Sequence, residues 1–350
     1  MCGAHAQVMS AAELSIGLRG DGLRREDVRA ALWGDRSLIK TFGPRTTVHL
    51  LASADLPMWI GALGAVPSRR VAPDRARLLD ARQAGQVVEA IAGALEDAEL
   101  TVEELGAEVV SRTGPWAGDL VMEAFQGKWP RWRAAIGLAA ACGGLCFGPD
   151  RGGRVTYTNP HRWMGEFRAA DPALALGEVL RRYLHAFGPA RPEDFARWLA
   201  ATPRWAEDLF HEHIAELRQV DLEGTTAWVL EEDAAEAEIP PGGGALLLPY
   251  FDAYVVGSQP RELLFPGPAW DRALARGQAG NYPVVLVDEA VAGVWHGRRT
   301  GKRMAVTIEL LRKVTPEHVL QLGEQAERVG RIMGVQPRLS MGKVTIGAHA

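Results

Sequence analysis

The stretch SLIKTFGPRTTVHLLAS, Ser37–Ser53, is where the chain changes period. Upstream of it, apolar residues recur every three or four positions, as on a helix face. After Gly43-Pro44 the run Thr46, Thr47, Val48, His49 and Leu50 is rich in β-branched residues, the pattern of a short strand. Asp55 then stands at the expected N-cap of the helix LPMWIGALG, with Pro57 in its first turn. Working back, LRREDVRAALWG (Leu23–Gly34) predicts a helix with Val28, Leu32 and Trp33 inward. Before it, CGAHAQVMSAAELSIGLR (Cys2–Arg19) predicts a helix over 7–19. Its apolar stripe is Val8, Ala11, Ala12, Leu14, Ile16 and Leu18, and Gly20 ends it.

The order helix, helix, short strand, helix recurs. GQVVEAIAGALEDAELTVEELGAEVVSRTG predicts two helices meeting at Leu100-Thr101, where Thr101 and Glu104 are spaced as a capping box. KWPRWRAAIGLAAACGGLCFG reads as a third helix, and RVTYTNPHRW as a β-like segment. A further unit has two helices broken at Gly188-Pro189, then a helix and a strand in TPRWAEDLFHEHIAELRQVDLEGTTAWVL. The acidic, Pro/Gly-rich EEDAAEAEIPPGGG (Glu231–Gly244) marks a boundary, and beyond it LVDEAVAGVW signals a hairpin. The expected architecture is therefore α+β. Tandem winged-helix (helix-turn-helix) modules occupy 1–85, 86–170 and 171–232, and a small β-rich, barrel-like domain occupies 245–350.

A chain of 350 residues is too long for one small core, and its 47% hydrophobic and 23% charged content is that of an ordinary globular protein. A net charge of −4 argues against a protein that is basic overall and leaves room for a local basic stripe on an acidic body. Cys2, Cys142 and Cys146 lack the partners of a four-ligand zinc site, so they are expected to be buried free thiols in a reducing cytoplasm. His211 and His213 in HEH point apart on a helix, so no metal site is expected there. With no secretory leader and no apolar run near 18 residues, a cytoplasmic protein without membrane spans is expected.

Five stretches in this order carry a resemblance: CGAHAQVMSAAELSIGLR, SLIKTFGPRTTVHLLASADLP, YLHAFGPARPEDFARWL, LLPYFDAYVVG and VLVDEAVAGVWHGRRTGKRMAVTIE. The chain resembles the AlkZ/YcaQ-like winged-helix DNA glycosylases across nearly its whole length. The resemblance implies a bacterial cytoplasmic protein, nucleoid-associated when bound and probing double-stranded DNA as a monomer. It implies hydrolysis of the N-glycosidic bond of N-alkylated purines, in alkylation repair or genotoxin self-resistance. A Q-x-Q, Q-x-D or H-x-Q triplet is the family's catalytic signature, and its polar positions fall on His5 and Gln7. Members carry further helical residues ahead of the triplet, so the first module is expected to be N-terminally incomplete. A non-catalytic winged-helix DNA-binding protein or regulator is the alternative.

Alkylation at N7 makes the base a good leaving group, so the tasks left are to stabilise an oxocarbenium-like sugar and to place a water. An imidazole can take a proton from that water, and a Gln amide can hold it. His5 is the expected activating residue and Gln7 the positioning one, with no cofactor. Residues i and i+2 share a side only in extended backbone, so Ala4–Gln7 should be non-helical or at most a first helical turn. Glu13 is a candidate auxiliary carboxylate, read more readily as an exposed helix-face charge. Arg45, Thr47 and His49 are candidate DNA contacts, with alternation placing Thr47 and His49 towards a cleft, and a satisfied His49 on a strand edge is the other reading. Lys128, Arg131 and Arg133 interleave with Trp129 and Trp132, which suits either DNA or helix packing. Arg298, Arg299, Lys302 and Arg303 form the densest basic cluster, on a turn between strands, suited to a phosphate backbone. Asp252, Tyr254 and Arg261 are cleft candidates, with Asp252 read more readily as a turn cap.

Overall fold

The computed structural model describes residues 1–67, 78–124, 127–234 and 243–347. The chain is mixed α and β, and it forms two compact units, each assembled from separated segments. One comprises Met1–Ala31, Tyr183–Arg191 and Ala215–Ala350, the other Leu32–Arg182 and Pro192–Ile214. This grouping differs from the contiguous modules expected at 1–85, 86–170, 171–232 and 245–350. Most of the acidic boundary, 235–242, lies outside the described residues, as do 68–77 of the first expected module and 348–350 of the last. Among the described residues no helix is long and apolar enough to cross a membrane.

In the unit containing Leu32–Arg182, Leu38–Phe42 and Val48–Ala52 pair antiparallel, from Leu38↔Ala52 to Phe42↔Val48. The second strand starts at Val48, two residues later than its β-branched run suggested. Pro44–Thr46 forms a tight turn with Arg45 and Thr46 in the left-handed region, and the Thr47 hydroxyl closes it by donating to the Pro44 carbonyl at 2.9 Å. The helix Leu56–Ala65 begins where expected, but Asp55 does not cap it: its carboxylate accepts from Arg182 at 2.6 Å instead. Helices Ala81–Leu95 and Val102–Thr113 are joined by the capping box expected at Thr101 and Glu104, with both reciprocal bonds formed at 3.3 and 2.8 Å. The segment from Lys128 is not helical throughout. Lys128–Pro130 is a strand paired with Leu120–Glu123, a 3-10 turn follows, and the helix is only Ile136–Ala141. Pro130 cannot donate within a helix, which accounts for the delay. The core gathers Ile91, Leu95, Leu105, Val109, Trp132 and Leu145, all essentially inaccessible. Each such burial contributes about 1.5–3 kcal/mol.

The other unit is organised by a five-stranded sheet in the order Ala245–Leu248, Val284–Val287, Ala290–Thr300, Arg303–Leu310, Gln336–Met341. The first four pair antiparallel and the last is parallel to its neighbour, reached through the crossover helix Pro316–Met333. The hairpin signalled by LVDEAVAGVW forms: Asp288 and Glu289 are both left-handed, at φ 49° and 65°, as a two-residue type I′ connection requires. One face of the sheet packs Leu247, Val285, Trp295, Val306 and Ile308 against Leu322, Val329 and Ile332 of the crossover helix and Leu14 of the N-terminal helix Met9–Gly17. The other face is covered over its first half by Val255, Leu264 and Phe265. Beyond that cover, the distal ends of the long hairpin carry their outward residues into solvent.

Candidate active site and nucleic-acid interface

Ala4–His5 is extended, Gln7 lies in a bend, and Val8 caps the helix Met9–Gly17 with extended backbone. The H-x-Q residues are thus non-helical, the backbone that their i, i+2 spacing requires. Their side chains differ in exposure. His5 is buried, and its imidazole stacks on Phe251 at 5.0 Å between ring centroids with 21° between planes. Gln7 is exposed and its amide has no hydrogen bond among the described residues.

The helix behind them corrects the sequence reading. Residues 11–15 are all buried, so packing surrounds this helix instead of meeting one stripe. Glu13, expected on the surface, is fully inaccessible, and its carboxylate accepts from Arg25 at 2.8 Å and Arg29 at 2.5 Å. A buried carboxylate needs such partners, because an unpaired one would not stay ionised. Asp252 is likewise fully buried, so it is not a cleft residue. Its oxygens accept from the Ser15 hydroxyl at 2.7 Å, from Arg19 at 2.7 and 2.8 Å, and from the Tyr254 backbone N–H at 3.0 Å. The cap reading of Asp252 is the one the structure takes. The Tyr254 hydroxyl donates to the Glu289 carbonyl, and burial pushes its phenol up. Arg261 donates to the Val255 and Val256 carbonyls at 2.7 and 3.0 Å.

The basic candidates divide by what their charges already bind. Arg45 donates to the Trp198 carbonyl at 2.7 Å. His49 is buried, and its Nδ1–H donates to the Thr47 carbonyl at 2.8 Å. Thr47 and His49 therefore tie the turn through their hydrogen bonds to the backbone, and the left-handed turn delays the start of the strand to Val48. Arg131 donates to the Leu78 and Trp116 carbonyls and to Asp119. Lys128 is exposed near Glu123, Trp129 is half-exposed under the Arg133 guanidinium at 4.1 Å, and Trp132 is core.

Arg298, Arg299, Lys302 and Arg303 are all exposed at the end of the long hairpin. Register sorts them. Arg298 lies opposite Ala305 and Thr300 opposite Arg303 on the outward face, whereas Arg299 lies opposite Met304 on the other. Arg299 also donates to the Gly301 carbonyl. The sequence reading missed Arg338, which the parallel strand places beside Ala305 on that outward face, with Ser340 beside Thr307. No local pattern marks Arg338; only the crossover brings it there. Arg298, Lys302, Arg303 and Arg338 have no ion pair among the described residues. Burial, and then Arg298, hold the nearby His296 imidazolium below the usual range, so the ring itself adds little positive charge at neutral pH.

Cys2 and Cys146 are buried, but Cys142 is exposed, against expectation, because it lies just past the end of a short helix. Burial raises the Cys146 thiol, and partial desolvation raises that of the otherwise exposed Cys142, which keeps both protonated. Among the described residues no group of three or more His, Cys, Asp or Glu side chains is placed to hold a metal. A cavity of about 700 Å³ lined by Asn159, His161, Glu166 and Arg168, among others, contains none of the candidate residues.

An α+β chain with a buried histidine ahead of its first helix and an unpaired basic hairpin fits an enzyme acting on DNA. A sequence model of the family described as DNA glycosylase AlkZ-like matches residues 1–332. The chain belongs to the AlkZ-like DNA glycosylase family, whose members hydrolyse N-glycosidic bonds. It is 33% identical over 306 residues to an interstrand DNA cross-link repair glycosylase of Streptomyces sahachiroi, covering 84% of this chain and 80% of that one. The solved structure of Streptomyces sahachiroi DNA glycosylase AlkZ superposes with a TM-score of 0.82 at 30% identity, covering 97% of this chain and 91% of that chain. The alternative of a non-catalytic regulator falls with these matches.

Proposed function

We propose that this protein is a monofunctional DNA glycosylase that releases N-alkylated purines from double-stranded DNA, with His5 activating the water and Gln7 positioning it. The observation that carries this reading is the pairing of a buried, stacked His5 with an exposed Gln7 two residues on, in non-helical backbone. His5 takes a proton from water as the water oxygen attacks C1′ of the sugar. The bond from C1′ to the purine nitrogen breaks, and its electrons neutralise the cationic base as it leaves. The products are a free alkylpurine and an abasic site. General-base help of this kind is worth about 10²–10⁴-fold. Because a relative at 33% identity carries the name of a cross-link repair glycosylase, bulky and cross-linked purine adducts are included in the proposed substrate class. The outward face with Arg298, Arg303 and Arg338, together with Lys302, supports contact with the phosphate backbone. The recurring helix pairs and hairpins support three winged-helix building blocks ahead of the sheet, and the chain is proposed to act as a monomer.

The test is excision from a duplex carrying one N7-methylguanine, read as strand breaks after mild alkali. Wild-type protein is expected to generate abasic sites, and His5→Ala to lose about 10²-fold or more in single-turnover rate. Gln7→Ala should lose less, because an amide only holds the water. Full excision by both variants would overturn the assignment.

A further inference from the structure

His5 is joined to its helix by a short extended segment, so the direction of its imidazole depends on what it packs against. One such neighbour is Phe251, on which the ring stacks, and three observations fix Phe251 in turn. Its backbone is left-handed, at φ 53°, a conformation uncommon for a bulky side chain. Its N–H donates to the Gly280 carbonyl at 2.8 Å. The next residue is Asp252, fully buried, whose carboxylate accepts four hydrogen bonds.

Three of those four come from Ser15, near the far end of the helix that His5 precedes, and Arg19, just past that end. The fourth, from the Tyr254 N–H, holds the turn that carries Phe251. The contacts close a circuit: His5, its helix, Ser15 and Arg19, Asp252, Phe251, and back to His5 through the ring stack. One buried carboxylate thereby references both the helix and the aromatic ring to the same point. Charge-assisted bonds of this kind are short and directional, which suits them to fixing a register. A reacting group must be held within about 0.5 Å and 10–20° of its productive geometry, and a displacement of about 1 Å is enough to cost about 10²-fold in rate.

We infer that Phe251 and Asp252 are positioning residues for base excision: Asp252 locks the helix to the 250–254 turn, and Phe251 presents its ring as the surface on which His5 is oriented. Neither touches the substrate. The inference rests on His5 being the water-activating residue.

The experiment uses the full chain and a duplex bearing one N7-methylguanine, and compares His5→Ala, Phe251→Leu, Asp252→Asn and the double variant His5→Ala/Phe251→Leu. Phe251→Leu and Asp252→Asn are expected to lower the single-turnover excision rate by about 10–100-fold while the dissociation constant for the duplex stays within about twofold. The double variant should be no slower than His5→Ala alone, because Phe251 acts only through His5. In proton–carbon NMR spectra, Phe251→Leu should move the His5 ring signals downfield as the ring current is lost. Should Asp252→Asn fail to fold, Ser15→Ala removes a single one of the four bonds and takes its place. Full activity in His5→Ala would sink the reading of His5 and this inference with it. An inactive His5→Ala beside a wild-type rate in Phe251→Leu would overturn positioning alone. So would a double variant that is slower than His5→Ala, since Phe251 would then act through general stability.

Discussion

Replacing Glu13 by alanine tests the least expected feature of the N-terminal helix. The carboxylate is wholly inaccessible and is held by Arg25, whose side chain is 12% exposed, and Arg29, which is 50% exposed. Removing one member of a buried ionic group costs about 3–5 kcal/mol when the partner charge is left stranded. Here Arg29 can turn into solvent, but Arg25 cannot do so without opening the packing around it. The expected loss is therefore at the lower end, about 3 kcal/mol. For a domain of about 150–250 residues each kcal/mol moves the midpoint by about 2–4 °C, so Glu13→Ala should lower the relevant transition by about 6–12 °C. Scanning calorimetry gives the measurement, and Glu108→Ala supplies the control. Glu108 pairs with Arg112 across exposed side chains at 3.1 Å, a surface contact worth well under about 1 kcal/mol. A midpoint shift for Glu13→Ala no larger than that of Glu108→Ala would refute the reasoning.

Glu309 sets an acid-side expectation: donation by Arg272, then by the Val344 N–H, holds its carboxyl below the usual value of 4.5. Because the folded value lies below the unfolded one, this stabilisation is present above about pH 4.5 and is lost as pH falls through the depressed value. Glu309→Gln should thus flatten the acid loss of stability in urea melts, and parallel losses in both proteins would refute it. Arg298→Ala and Arg338→Ala should each weaken duplex binding irrespective of sequence and reduce the slope of log affinity against log salt by about 1. An unchanged slope would remove that residue from the interface.

Local chemistry is legible at several positions whose partners lie within a few residues. Thr101 and Glu104 cap their helix three residues apart, and the two-residue connection at Asp288-Glu289 forms the hairpin its flanking strands announce. The break at Gly188-Pro189 separates the helices Pro172–Phe187 and Pro192–Leu199 as read. The reading slipped where one position admitted two local outcomes. Thr47 and His49 alternate correctly for a strand, but their hydrogen bonds to the backbone belong to the turn before it. Trp129 and Trp132 have the spacing of a helix face, and Pro130 together with pairing to Leu120–Glu123 makes Lys128–Pro130 a strand.

The sequence by itself determined most of the element order, because periodicity and capping act over a few residues, and its resemblance to a known family supplied the family and the candidates His5 and Gln7. Only the tertiary structure decided which charges are buried and what surrounds the histidine. Asp252 meets Ser15 and Arg19 across separations of 237 and 233 residues, and Arg338 joins Arg298 only through a parallel crossover. Burial makes an ionisable side chain depend on distant partners, since water no longer solvates it. A one-dimensional pattern carries no trace of those partners, so Glu13 reads as a surface acid and Asp252 as a cleft or turn residue until the fold places them.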